Sequence, residues 1–305
     1  LKKITLSIDL SKKYYFSKQT SYNFCGSASE MEKNMHIPEL DQLTELVRNA
    51  AAQHLLPYFG HTTREYKADR SVVTEADLAM QQHLQSEFQR HWPQFQLLAE
   101  EMTREQQLAQ LQSPESGLWI VDPLDGTSNF AAGIPYFSVS VAFYMKGDVQ
   151  LALVYDPVRD EMFAAAAGQG AQLNGEPLQQ QSTPASLARS IAVVDFKRLS
   201  PEMATRLAMR PPYGSQRSFG SVALDWCWLA ANRFHVYLHG RQNIWDYAAG
   251  EMIFSETGGQ SISLDGDAVF RPSIEPRSAV AAYDAGLFAE WSDWLGVAKG
   301  GHAGS

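Results

Sequence analysis

The chain has 305 residues, of which 45% are hydrophobic and 19% charged, with a net charge of −9. This is globular composition with length for one large domain or two smaller ones, and its acidity argues against a nucleic-acid partner, which calls for a basic face. Two cysteines, Cys25 and Cys227, exclude a disulfide framework and fit a reducing cytoplasm, and no run approaches the ~18 apolar residues of a membrane span.

Residues 1–35 are rich in Lys, Ser and Tyr without hydrophobic periodicity and read as a flexible extension. From Pro38 to Phe59 the apolar residues Leu43, Leu46, Val47 and Ala50 recur at helical spacing, and Pro57-Tyr-Phe-Gly60 closes that element. A second helix fits Glu75 to Trp92 with Leu78, Leu84 and Phe88 inward. Thr74 is its N-cap and Asp77 its N3 acid, a variant of the capping box. "FQLLAE" then reads as a short strand, and "GLWIVD" as an apolar strand ending at Asp122. "YFSVSVAFYM" alternates Phe137, Val139, Val141 and Phe143 against Ser138, Ser140 and Ala142, the pattern of a half-buried strand. Lys146-Gly147-Asp148 turns it into "VQLALVYD" as a hairpin, "EMFAAAA" is a further strand, and Asn174-Gly175 marks a tight turn.

The Gln-rich stretch 179–184 reads as the boundary between an N-terminal α+β half at 36–183 and a C-terminal half at 184–295. In the second half, strands "SIAVVD", "RFHVYLH" and "GQSISL" alternate with helices near 201–209, 221–232 and 246–257, the order of an α/β unit. Residues 296–305 form a flexible Gly-rich tail. His235 and His239 are four apart, but they alternate with Phe234, Val236 and Leu238 as in a strand, and no Glu follows His235 as a zinc helix requires. Trp226, Cys227 and Trp228 sit in an apolar helix and read as packing residues.

One stretch carries chemistry. Asp122-Pro-Leu-Asp125 suits a β-turn, since proline presets φ at the second position and aspartate suits the first. Two carboxylates at ~4 Å repel by roughly 4 kcal/mol at an effective dielectric near 20. Such a pair is either a solvated turn or a convergent pair around a cation, and a hard ion such as Mg²⁺ takes carboxylate and carbonyl oxygens. Gly126 allows close backbone approach and Thr127 adds a hydroxyl. A helix opening at Gly126-Thr127-Ser128 offers N–H groups to a phosphate, or merely caps itself.

The string "WIVDPLDGTSNF" (119–130) resembles the signature of the inositol monophosphatase family of metal-dependent phosphatases. Three more segments resemble family segments in the same order: "KADRSVVTEAD" (67–77), "LLAEE" (97–101), with Ala99 where glycine is usual, and "WDYAAGEMIFSETGG" (245–259). The likeness spans residues 38–290. It implies an α/β (α+β) layered fold, an alternating α-β-α-β-α sandwich with the site between its halves. It also implies a Mg²⁺-dependent phosphomonoesterase that hydrolyses a small polyol or sugar phosphate, inositol-1-phosphate-like, with activated water. Two or three Mg²⁺ ions, replaceable by Mn²⁺, would be held by Glu100, Asp122, Asp125, Asp246 and the main-chain carbonyl of Leu124.

By the same resemblance Asp77 and Thr127 are catalytic and orient the attacking water. Asp125, Gly126, Thr127, Ser128, Ser221 and Asp246 are its substrate contacts, with Asp225 beside them. Read from the residues alone, Asp77 and Asp246 are helix caps, and Glu101 is either an outer acid or a solvated neighbour. Lithium sensitivity is a family trait, and family members often dimerise, so a homodimer is implied without a sequence signal of its own. Where inositol phosphatases commonly offer an acidic side chain, this chain reads "YLHGRQNIWD". Its Arg241 there suits either a second phosphate or bare solvent. A 3′,5′-bisphosphate nucleotidase or a sugar bisphosphatase is therefore the alternative, although "GTSNF" resembles the inositol-type branch. Some family members also act in transcription complexes, so a non-catalytic binding protein on this fold is the remaining reading. The intact set Glu100, Asp122, Asp125, Thr127 and Asp246 speaks against it.

Overall fold

The computed structural model describes residues 36–62, 65–66, 72–178 and 186–297. The chain divides into Leu1–Ile37 and Pro38–Ser305, and the fold described here belongs to the second unit. The N-terminal extension, residues 67–71 of the 67–77 segment, the 179–184 boundary and the tail beyond Val297 lie outside the described residues. Among the described residues no helix is long and apolar enough to cross a membrane.

Helices α1 (Leu40–His54) and α2 (Glu75–His91) come first, with a two-stranded ribbon, β1 (Glu65–Tyr66) and β2 (Val72–Val73), between them in sequence. Helix α2 starts on its capping box: the Thr74 N–H and hydroxyl both donate to the Asp77 carboxylate, at 2.8 and 2.6 Å. Its buried stripe is Ala76, Met80, Leu84 and Phe88, at four-residue steps. Leu78 is not part of it. At 53% exposure it points outward, which corrects the expectation, because two residues from Met80 is a rotation of about 200°. Leu78→Lys should therefore change stability by less than about 0.5 kcal/mol. Met80→Ala should cost about 2–5 kcal/mol, and urea unfolding of the two variants reads the contrast.

The next elements are β3 (Gln96–Ala99), α3 (Arg104–Gln110), β4 (Leu118–Asp125), α4 (Thr127–Ala132), β5 (Ser138–Met145), β6 (Asp148–Asp156), β7 (Glu161–Ala166), β8 (Ala171–Leu173) and β9 (Glu176–Pro177). Their strands form a seven-stranded sheet in chain order, antiparallel except for β3 beside β4. Two-residue turns join β5 to β6 and β8 to β9. Lys146 and Gly147 (φ 56° and 94°) and Asn174 and Gly175 (φ 52° and 84°) all take the positive φ that such turns demand.

The chain continues through β10 (Ile191–Asp195), α5 (Pro201–Met209), β11 (Ser215–Arg217), α6 (Val222–Ala230), β12 (Val236–Gln242), α7 (Ile244–Glu256), β13 (Gln260–Ile262), β14 (Arg277–Ala282) and α8 (Ala285–Leu295). A five-stranded sheet of order β11-β10-β12-β14-β13 results, with β11, β10 and β12 parallel. Elements α3, β11, β14 and α8 have no counterpart in the sequence expectations.

Side-chain alternation assigns the layers. Trp119, Val121, Val139, Val141 and Phe143 pack with α1 and α2, whereas Leu118, Ile120, Ala142 and Tyr144 turn to the opposite face. That face packs with Trp226 of α6 and Ile253 of α7, and with Val193, Tyr237 and Ala281 from the second sheet. The other side of the second sheet, with Ala192, Val194, Val236 and Leu238, packs with Leu207 of α5 and Trp291 of α8. The layers run helix, sheet, helix, sheet, helix, as the family resemblance implies. Strand β5 is not half-buried but buried along its whole length. Its Ser138, Ser140 and Ala142 are small because α6 and α7 lie over that face, and Ser140 Oγ donates to the Trp245 carbonyl at 2.9 Å.

A candidate active site of buried carboxylates

Asp122-Pro-Leu-Asp125 is not a β-turn. Strand β4 runs on through it and carries an irregularity: Asp122 pairs with Ser140 and Asp125 with Ser138. Three steps along β4 thus match two along β5, the mark of a bulge, and Pro123 fits because a bulged residue gives no N–H to the ladder. The extra residue changes which way the strand faces. In a regular strand, residues three apart point to opposite faces. Here Leu124 joins the core under α1 and α2, and Asp122 and Asp125 share the face of Ser138 and Ser140, toward α7.

Each aspartate is held on one side. Asp122 Oδ1 accepts the Leu124 N–H at 2.9 Å, and Asp125 Oδ2 accepts the Ser221 hydroxyl and the Ala223 N–H, both at 2.7 Å. Ser221 is fully buried beneath Asp125, and Ser138 lies 3.3 Å from its hydroxyl. Gly126 takes φ 94°, and a Cβ there would crowd the Tyr136 carbonyl and Phe137, so only glycine lets the chain turn into α4. Ser128, one residue into α4, is exposed.

Asp246 sits in the first turn of α7, over that same face. Its Oδ2 accepts the Asn243 N–H at 2.8 Å in a capping box. Asp77 is divided in the same way. Its Oδ2 takes the Thr74 donors and its Oδ1 accepts from the Thr127 hydroxyl at 2.9 Å. The cap and the site role therefore use different oxygens of one carboxylate. The Thr127 hydroxyl also lies 3.0 Å from the Leu124 carbonyl, and with one proton it serves Asp77 or Leu124 at a time. Glu100 follows β3 and is half-buried. Gln107 of α3, buried, donates to the Ala99 and Glu100 carbonyls at 3.2 Å each, and Gln81 accepts the Glu101 N–H at 3.0 Å. Neither glutamine was anticipated from the sequence, where no spacing links them to Glu100.

The electrostatics are those of crowded anions. Burial pushes the Asp122 carboxyl well up, and Glu100, Asp125 and Asp246 push it further. Asp246 is likewise raised, first by burial and then by Asp125 and Glu100. Burial lifts Asp125 to about 6 against the pull of Ser221 and Ala223. Asp77 is also lifted to about 6 by burial, against the hydrogen bonds from Thr74 and Thr127. No cation stands among the causes for Asp122, and for Asp246 only Arg198 does, as the smallest. Among the described residues no three acidic, His or Cys side chains close on one point as a finished metal cage. The two observations differ in reach: charges couple across many ångströms, whereas a Mg²⁺–oxygen bond needs about 2.0–2.1 Å. An all-oxygen, net anionic donor set fits a hard divalent ion, whose charge would offset the repulsion among these carboxylates.

Known proteins resemble this chain in sequence and in fold. The profile of the inositol monophosphatase family matches residues 38–292. The Nus factor SuhB of Pasteurella multocida (strain Pm70) is 34% identical over 206 residues, 66% of this chain and 74% of that protein. The structure of Thermotoga maritima IMPase TM1415 superposes with a TM-score of 0.72 at 28% identity, covering 84% of this chain and 95% of that one. Extragenic suppressor protein suhB from Bartonella henselae superposes with a TM-score of 0.70 at 26% identity, over 83% and 98%.

Proposed function

The chain belongs to the inositol monophosphatase family, and from that premise we propose that it is a Mg²⁺-dependent phosphomonoesterase for a small polyol, sugar or nucleotide phosphate. The observation that carries this reading is the buried group of Asp122, Asp125 and Asp246 with Glu100 at its edge, whose mutual repulsion raises Asp122 and Asp246 and is offset at Asp246 only slightly, by the Arg198 charge. Those four side chains and the Leu124 carbonyl would hold Mg²⁺. When bound, the ion would supply charge neutralisation of the phosphate and a lowered pKa for water.

The remaining work falls to the protein's own groups. Asp77 Oδ1 accepts the proton of the attacking water, and its pKa of about 6 leaves it ionised and able to do so near neutrality. Thr127, hydrogen-bonded to that oxygen, fixes the line of attack. Water adds to phosphorus as the bond to the alcohol oxygen breaks, with no covalent enzyme intermediate. Ser221 and the Ala223 N–H keep Asp125 Oδ2 turned away, so a single Asp125 oxygen faces the site.

The test is phosphate release from inositol 1-phosphate, adenosine 3′,5′-bisphosphate and fructose 1,6-bisphosphate. Release should require Mg²⁺ or Mn²⁺ and fall in millimolar lithium. No release from any ester with either metal would end the phosphatase reading. A second reading starts from the relatives' name, Nus factor, and makes the chain a binding component of a transcription complex. Mutually repelling buried carboxylates, which cost stability and serve no scaffold, favour catalysis.

A further inference from the structure

Strands β10 and β12 are parallel neighbours, with Asp195 opposite His239, so both deliver their following residues to one edge of the sheet. In such sheets the carboxyl ends of the strands are where ligands bind. After β10 comes a single 3₁₀ turn, Phe196–Arg198, and β12 ends in an irregularity between His239 and Gln242 that carries Arg241. The two stretches are fastened together. His239 Nε2 lies 3.1 Å from Asp195 Oδ2, and the Arg241 N–H reaches His239 Nδ1 at 3.3 Å. Gly240 rests so closely on the Arg198 carbonyl that a Cβ there would collide with it. Asp246 follows Arg241 by five residues.

Arg198 and Arg241 are both exposed, and among the described residues neither guanidinium has an ion-pair or hydrogen-bond partner. Arg104, Arg159, Arg233 and Arg271 each meet a carboxylate. The Arg198 charge reaches the site as well, since it acts on both Asp195 and Asp246. A guanidinium fork matches a phosphate or carboxylate better than any other side chain does.

We propose that Arg198 and Arg241 form a second anion subsite at the rim of the carboxylate site, which selects phosphate esters whose leaving alcohol carries a further anionic group. This rests on the phosphatase reading and names its substrate class. The rim is fixed in place by the His239–Asp195 contact and by the close seat of Gly240. Its interaction with substrate is solvent-exposed, so the preference weakens with salt.

The experiment compares kcat/KM for adenosine 3′,5′-bisphosphate with adenosine 3′-phosphate, and for fructose 1,6-bisphosphate with fructose 1-phosphate, in Mg²⁺. The wild-type chain should favour at least one bisphosphate by about tenfold or more, mainly through KM. Arg198→Ala and Arg241→Ala should each cut that ratio by about tenfold. Arg198→Lys should keep part of it, and Arg210→Ala, away from this rim, should keep it all. A wild-type ratio near one for both pairs, or variants that slow both members of a pair alike, would overturn the subsite. If no ester is hydrolysed at all, the phosphatase reading fails and the subsite is judged by calorimetry. Adenosine 3′,5′-bisphosphate binding that weakens about tenfold in Arg198→Ala supports it. Absent or unaffected binding overturns it.

Discussion

Asp122→Asn is expected to lower phosphate release by about 1,000-fold or more and, in the same protein, to raise the melting temperature in EDTA. The first effect follows from the proposed metal role. Metal stabilisation of transition-state charge is worth several kcal/mol, and each ~1.4 kcal/mol is tenfold in rate. The second follows from the charge of Asp122 alone. The side chain is 1% exposed, and burial, Glu100, Asp125 and Asp246 all oppose its ionisation. Asparagine has the same shape and keeps an oxygen for the Leu124 N–H, now at 2.9 Å, so the bulge survives. Removing one of several repelling charges should stabilise the metal-free fold by about 1–2 kcal/mol. Melting in EDTA and in Mg²⁺, beside a phosphate-release assay, separates the effects. Retained turnover would remove Asp122 from the metal site. A lower melting temperature in EDTA would mean that the carboxylate is paired rather than repelled.

What the sequence made legible follows from period and composition. Strands with a two-residue alternation, helices with a four-residue stripe and turns that demand positive φ, such as Asn174-Gly175, are encoded within a few residues. Partnership across the chain is not encoded that way. Strand β14, "RSAVAA", has weak strand propensity and exists because β12 and β13 flank it on both sides. Ser138 and Ser140 looked solvent-facing because small polar residues are equally the mark of an exposed face and of a face under a closely packed helix. The bulge at Pro123 was hidden for a related reason. Asp-Pro-Leu-Asp is good turn chemistry, and only pairing with β5 keeps it extended. That pairing is also what aims both aspartates at Asp246. The site's residue types were legible, while the parity change that gathers them was not. Asp77 and Asp246 show one further limit. Cap and site residue looked like alternatives, yet a carboxylate has two oxygens, and each cap occupies one.

The same crowding fixes an unusual dependence on pH. Asp77 and Asp125 are pushed up to about 6, and Asp122 and Asp246 are raised as well, all chiefly by burial. Unfolded, these groups titrate near about 3.9. Between the two values the folded chain holds protons that the unfolded chain has released, so the unfolded state binds fewer and stability falls as pH rises. The metal-free protein should thus be most stable near the bottom of this window and lose stability up to and through pH 6. Glu87, lowered by Arg90, and Asp195, lowered by His239 against its burial, pull the other way but are more exposed. Mg²⁺ should invert the slope, because it competes with protons for the same oxygens and gains as they leave. At a hundredfold excess over its dissociation constant it adds about 2.7 kcal/mol, which for a chain of this size is roughly 4–5 °C in melting temperature. Urea unfolding from pH 4.5 to 7.5, in EDTA and in Mg²⁺, should give curves that diverge as pH rises. An EDTA curve that climbs through pH 6 would show the carboxylates already compensated within the fold. A Mg²⁺ increment that does not grow with pH would show that the ion is not taken up by these oxygens.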